Sequence, residues 1–348
     1  MSERSSEAAG PTGLPFDDIR RLVAQMPGPD EKAVAAIRAR DAELTKPPGS
    51  LGRLEALVEW LAAWQGSTRP MVERPLVAIF AASHGVTARG ISAFPDSVNR
   101  QMLDNFSAGG AAINQLCAAY GLGLKVFDLA IDQPTPDISA EAALSEPACA
   151  ATMAYGMEAI AGGIDLLCVG EMGIGNTTIA AAIYHALYGG QPQDWVGPGT
   201  GLDHEGVRRK AQVIGEAVAL HRAGDGDPLE VLRRLGGREV AAIAGAILAA
   251  RHQRVPVILD GFVTTAAAAV LHAMDARALD HCLAAHCSAE PAHVEVLRRL
   301  NKTPLLDLGM RLGEGSGAAI AAGIVKGALA CWRDMATFES AGVATKGT

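Results

Sequence analysis

The chain carries 348 residues at a formal net charge of -8, with 49% hydrophobic, 20% charged and only 4% aromatic residues. A chain of that length can bury a large core and accommodates one big domain with a smaller one beside it, packed by alanine and aliphatic side chains. The acidic balance, with no run of Lys and Arg, argues against a nucleic-acid surface, and the apolar stretches are broken by glycine or charge well short of a membrane-spanning length.

Residues 1–15 are polar with Gly and Pro, which predicts a disordered start rather than a signal peptide or anchor. Helical patterns follow at 16–26, 29–43 and 50–65, and in the third Leu51, Leu54, Val58 and Leu61 fall on one face. These predict a small helical domain over 16–70, joined by a C-terminal helix at about 318–340. Between the second and third helices, Leu44 to Leu54 holds two prolines and two glycines. That rigid bend is either a helix connector or a loop carrying Lys46 and Arg53 toward a site or a partner subunit.

The large domain, 71–317, opens on the strand 76–82, which runs into Ser83-His84-Gly85-Val86. His84 reads either as a hydrogen-bonded structural histidine or as a ligand contact at a strand's carboxyl end. Further apolar runs predict strands at 124–131, 164–169, 255–260, 280–285 and 304–308, separated by helices, with a polar excursion at 132–150. The result is an α/β fold: a doubly wound, Rossmann-like, mainly parallel six-stranded sheet with its site along one edge.

The most informative stretch is Gly170-Glu171-Met172-Gly173-Ile174-Gly175-Asn176-Thr177-Thr178, between a strand and a helix that Asn176 or Thr177 is placed to cap. A glycine turn leading into a helix N-terminus is an anion cradle. It is neither a Walker loop nor Gly-x-Gly-x-x-Gly, which disfavours a dinucleotide fold in the usual register. A second glycine turn, Val196 to Asp203, opens another helix; Lys210, about two turns in, reads as a counter-charge or as a solvated surface lysine. Six cysteines lie scattered without a Cys-x-x-Cys pair, as expected of reduced cytoplasmic thiols. His281-Cys282 and His286-Cys287 have the wrong spacing for a metal site. Glu314 lies between Gly313 and Gly315 at a helix start, where flanking glycines suit close approach by another molecule and the carboxylate suits a general base. Glu171 sits at a corresponding corner, so two acids are expected to face one cavity.

Thr45 to Gly52, Glu171 to Thr178, Gly199 to Asp203, Asp260-Gly261-Phe262 and Arg311 to Gly317, in this order, resemble the blocks of the nicotinate-nucleotide:dimethylbenzimidazole phosphoribosyltransferases of cobalamin synthesis. The resemblance covers nearly the whole chain after residue 16. Ser83 departs from it, standing where that family commonly has Asp. The resemblance implies transfer of the 5-phosphoribosyl group from nicotinate mononucleotide to 5,6-dimethylbenzimidazole, giving α-ribazole 5'-phosphate and nicotinate. It implies that Glu314 takes the azole proton. Glu171 would bind ribose, steady positive charge or share the base role. Gly173, Gly175, Asn176, Thr177, Thr178, Gly199, Thr200 and Gly201, with Lys210, would hold the phosphate. Asp260 and Ser288 are ribose or nicotinate candidates, and Ser83, His84 and Leu312, beside Gly313, are candidates for the base pocket. A cytoplasmic homodimer with no metal and no cofactor, touching neither membrane nor nucleic acid, completes the expectation. The competing readings are a nucleotide-dependent oxidoreductase and a non-catalytic nucleotide sensor.

Overall fold

A computed structural model of the chain describes residues 13–199, 201–221 and 226–344. Three helices come first, α1 (Pro15–Ala24), α2 (Glu31–Asp41) and α3 (Arg53–Gln65). Local chemistry sets their bounds. Pro15 and two aspartates occupy the first turn of α1, Asp30 accepts from the Ala33 amide to cap α2, and left-handed Gly66 ends α3. The expected disordered start falls on residues 1–12, outside the described residues, and on 13–15, where α1 already begins.

Strands and helices then alternate: β1 (Pro75–Ala81), α4 (Ser97–Ala108), α5 (Ala112–Tyr120), β2 (Gly123–Asp128), α6 (Glu146–Met157), β3 (Leu166–Met172) and α7 (Asn176–Tyr188). After these come α8 (His204–His221), α9 (Pro228–Leu235), α10 (Arg238–His252), β4 (Val257–Leu259), α11 (Phe262–Met274), β5 (Cys282–Ala284), α12 (His293–Arg299), α13 (Ser316–Asp334) and α14 (Phe338–Ala341).

The strands form one parallel sheet in the order β2-β1-β3-β4-β5. Side chains alternate between two cores. Ala78 and Phe80 of β1, with Leu167 and Val169 of β3, face α6, α7, α10 and α11, whereas Val77, Ile79 and Cys168 face α3, α5 and α13. Helix α13 lies against β1, β3 and β4 and also against α3 and α5, so the N-terminal helices reach the sheet through it.

The described residues contain five strands, not the six expected. Leu305 and Leu306 donate to Ala284 and Ala285, but 304–308 makes only a single bridge, His286 to Leu306. Pro304 has no N–H to extend the ladder, and left-handed Gly309 turns the chain away after Leu308. The bend after α2 is a connector: Lys46 is buried between Asp41 (2.7 Å) and Glu55 (2.8 Å), and Arg53 donates to the Thr303 and Pro304 carbonyls.

The strand order reverses between β1 and β3, and a crevice forms at the carboxyl ends there, where parallel sheets bind ligands. No described helix is long and apolar enough to cross a membrane.

Candidate active site

A cavity of about 270 Å³ opens at those carboxyl ends. Its sides come from distant segments: Glu171 near the carboxyl end of β3 and Gly173 just after it, Phe262 at the start of α11, Ser288 and Glu290 after β5, and Arg311 to Glu314 before α13. Helix α4 adds Val98 and Met102. Phe94 and Leu312, 49% and 55% exposed, stand at its rim.

The Glu314 corner shows how the backbone places an acid beside the cavity. Gly313, Glu314 and Gly315 have φ of 81°, 61° and 74°, three left-handed residues in succession. Two are glycine, for which this is free; for Glu314 it costs roughly 1–2 kcal/mol, a strain of the kind that gathers at functional sites. The corner is held on two sides. The Glu314 amide donates to the Glu171 carbonyl at 3.2 Å, and Asp260 accepts from the Gly315 amide (3.2 Å) and the Ala318 amide (2.9 Å). Asp260 thereby caps α13 from another strand. Gly170 lies so close to the Glu314–Gly315 backbone that a Cβ there would overlap it.

Glu314 is only 6% exposed, and its carboxylate has no hydrogen-bond or ion-pair partner among the described residues. Burial, with Asp260 nearby, raises its pKa to about 7, between its acid and base forms at neutral pH. Burial also raises Glu171, to about 8, with Asp260, Glu239 and Glu314 adding repulsion and a hydrogen bond from Asn176 opposing. Asp260 is raised too, mainly by burial, against the pull of His286 and the α13 amides.

Beside the main cavity, and sharing Gly173, Asn176, Thr177 and Gly199 with it, lies a hollow of about 30 Å³ that also holds Gly175 and Lys210. Neither Asn176 nor Thr177 caps α7: the N-cap position is left-handed Gly175, Asn176 is the first helical residue and its amide donates to Glu171, and the open helix N-terminus faces this hollow. Lys210 is buried, not a surface lysine. Its Nζ donates to Thr177 Oγ1 (2.7 Å) and the Gly197 carbonyl (3.4 Å). Burial lowers it to about 8, with Glu290 opposing. Asp203 accepts from the Gly206 amide, so α8 offers this lysine rather than its own N-terminus.

Of the residues singled out in the sequence, Glu171, Gly173, Gly175, Asn176, Thr177, Gly199 and Lys210 meet around the hollow or its opening, and Ser288, Leu312, Gly313 and Glu314 line the main cavity. Thr178 is buried in α7, and Gly201 lies on an outer groove. Thr200 lies outside the described residues. Ser83 donates to the Ile131 carbonyl, and His84 is buried behind Gly173, its Nε2 2.9 Å from Glu239 Oε1. Sequence reasoning gave no role to Glu290, to Arg311, whose guanidinium donates to the Gly199 carbonyl at 2.6 Å, or to the apolar side from α4. Arg311 stood within a recognised block; Glu290, two residues past Ser288, carried no local signal.

Residues 26–343 match the family described as phosphoribosyltransferase, DBI_PRT. Over 335 residues, 96% of this chain and 99% of the other, the chain is 67% identical to a Rhizobium rhizogenes protein named nicotinate-nucleotide--dimethylbenzimidazole phosphoribosyltransferase. It is 66% identical, over the same shares, to a protein of that name from Sinorhizobium fredii. The crystal structure of CobT from Thermus thermophilus superposes with a TM-score of 0.85 at 41% identity, covering 90% of this chain and all of that one.

Proposed function

The chain belongs to the phosphoribosyltransferase family, and on that premise we infer that it moves the 5-phosphoribosyl group of nicotinate mononucleotide onto 5,6-dimethylbenzimidazole, as the names of its relatives state for them. The products are α-ribazole 5'-phosphate, for the cobalamin nucleotide loop, and nicotinate. An oxidoreductase or a nucleotide sensor is not favoured by these relatives.

The observation that carries the reading is Glu314, an unpaired carboxylate raised to about 7, on the side of a cavity joined to a lysine-floored hollow. The phosphate enters the hollow, against the α7 N-terminus and Lys210. The anomeric carbon then faces the main cavity, where apolar Val98, Met102 and Phe94 suit a flat aromatic base. One azole nitrogen forms a bond to that carbon as the bond to the pyridinium nitrogen breaks, and the electron pair leaves with nicotinate. Positive charge arriving on the azole acidifies its other N–H, and Glu314 takes that proton. Attack from the face opposite the departing ring turns a β-nucleotide into an α-product. Glu171, the more strongly raised acid, stays protonated at neutral pH and steadies the pocket beside Asn176 rather than competing as base. The enzyme acts as a homodimer in the cytoplasm, the first part of which size-exclusion with light scattering checks.

The test is chromatography of purified protein incubated with nicotinate mononucleotide and dimethylbenzimidazole. Equal amounts of a ribazole phosphate and nicotinate support the reading; unchanged reactants refute it.

A further inference from the structure

Glu290 is a buried acid for which the reaction above has no use. It is 4% exposed, it lines the main cavity, and neither carboxylate oxygen has a hydrogen-bond partner among the described residues. Its position is fixed: its amide donates to Ser288 Oγ at 3.3 Å, and its carboxylate presses on Gly197 so closely that a Cβ there would overlap it. Gly197 also offers its carbonyl to Lys210, so the carboxylate stands next to the floor of the hollow. It does not form an ion pair with Lys210, whose Nζ is directed at Thr177 and Gly197; it acts on that cation only through space. A metal is not the missing partner, since no group of three His, Cys, Asp or Glu among the described residues could hold one.

A carboxylate buried without hydrogen bonds carries a desolvation penalty of about 1–3 kcal/mol or more, so a site that keeps one in place is arranged for a donor that arrives with the ligand. We propose that Glu290 is the sugar-recognition residue, accepting hydrogen bonds from the ribose 2'- and 3'-hydroxyls of the bound nucleotide and so selecting ribonucleotides over deoxyribonucleotides. The inference rests on the function proposed above and goes one step further. A nicotinate mononucleotide has three parts. Its phosphate and its nicotinate carboxylate are acceptors that Glu290 would repel, and only the ribose brings hydroxyl donors. With the phosphate in the hollow, the ribose lies in the main cavity, whose lining includes Thr177 and Gly199, shared with the hollow, and Glu290. Two vicinal hydroxyls match the two oxygens of one carboxylate. Of the other sugar candidates, Asp260 accepts from the α13 start, Glu171 accepts from Asn176, and Ser288 Oγ accepts from the Glu290 amide.

Titration calorimetry without the benzimidazole reads this directly, because no glycosyl bond is broken. Wild-type protein is titrated with nicotinate mononucleotide and with its 2'-deoxy and 3'-deoxy counterparts, and Glu290→Gln is titrated with the same three. Hydrogen bonds to a charged group predict wild-type binding weakened about 10- to 100-fold by loss of a hydroxyl. In Glu290→Gln the same comparison is expected to shrink to less than about threefold, with the ribonucleotide the ligand that loses most. Equal binding of all three nucleotides by the wild type overturns the proposal without any variant. So does an unchanged ratio in Glu290→Gln, or a uniform loss across the three, which would make Glu290 merely a neighbour of Lys210. Failure of the parent reading is separate: the same wild-type preparation would then yield no ribazole phosphate in the chromatographic assay.

Discussion

Asp260 and Glu314 are both acids at the carboxyl edge of the sheet, both nearly buried, and they meet in one corner, yet they differ in what their oxygens touch. Asp260 is satisfied by two backbone amides of α13. Glu314's carboxylate has no partner among the described residues, and its backbone is held left-handed by what surrounds it. The contrast gives a criterion for separating a structural acid from a candidate base at a glycine turn: the first completes the protein's own hydrogen bonding, and the second is held away from any such partner. One supports the other, because the Asp260 cap places the residues on either side of the Gly315 bend.

The comparison breaks most directly at Glu314. Glu314→Gln should lower kcat about 10²- to 10⁴-fold, the usual scale of general-base catalysis, and leave the calorimetric affinity for the nucleotide unchanged. In the wild type the rate should fall as pH drops below about 7, where the carboxylate gains a proton, and the variant should lose that dependence. An unchanged rate in the variant moves the base elsewhere, with Glu171→Gln the next to measure.

Lys210→Ala should act on binding instead, weakening nucleotide affinity about 10- to 100-fold by removing a charge-assisted contact to phosphate. Lys210 is lowered to about 8, so wild-type affinity should decline above that pH as the ammonium is lost, most clearly at low salt. A change in kcat with unchanged affinity would place the phosphate elsewhere.

Asp260→Ala should do less to chemistry and more to the fold. Loss of an N-cap costs about 0.5–2 kcal/mol, and in a chain of this size each kcal/mol moves the melting temperature by about 1–2 °C. Turnover should fall about tenfold as the Glu314 corner loosens, and Asp260→Asn, which keeps one acceptor oxygen, should recover part of both. A stable Asp260→Ala protein with full activity would make the cap irrelevant.

The smallest effect on turnover is expected at Glu171, whose signature is in stability. The folded protein binds its proton more tightly than the unfolded chain, so its contribution to stability is complete below about pH 4.5 and is lost as pH rises toward 8. Glu171→Gln should therefore melt a few degrees higher than the wild type at pH 8 and differ little at pH 4.5. Parallel melting curves across that range would show that Glu171 is not held protonated.

Much of this was legible in the sequence because it was local. Apolar runs ending in glycine turns located β1, β3 and the helices after them, and the glycines on either side of Glu314 marked a corner no ordinary helix start requires. Where the reading was incomplete, the deciding contact was remote. The 304–308 segment is apolar enough for a strand, but its proline and the turn at Gly309 limit it to one bridge, which composition does not disclose. Lys46 and Lys210 look alike in the chain; one is paired with acids five and nine residues away, the other is buried against a turn reached only through the fold. Glu290 depends on Gly197, 93 positions earlier. Asp260 stood as a ribose or nicotinate candidate through the family resemblance, and only the fold shows its oxygens accepting from the Gly315 and Ala318 amides.

The near-touching main chains of Gly170 and Gly315 have a further bearing on substrate range. With a strand end and a helix start in direct backbone contact, one jaw of the cleft has no side chain there to repack and no slack to absorb a wider azole. Tolerance for bulkier or slimmer bases must then come from the opposing jaw, where unbranched Met102 and half-uncovered Phe94 can swing among rotamers. Altering which heterocycle is accepted is thus a matter of re-cutting α4 and the segment leading into it, while the acid we propose as the base stays where it is.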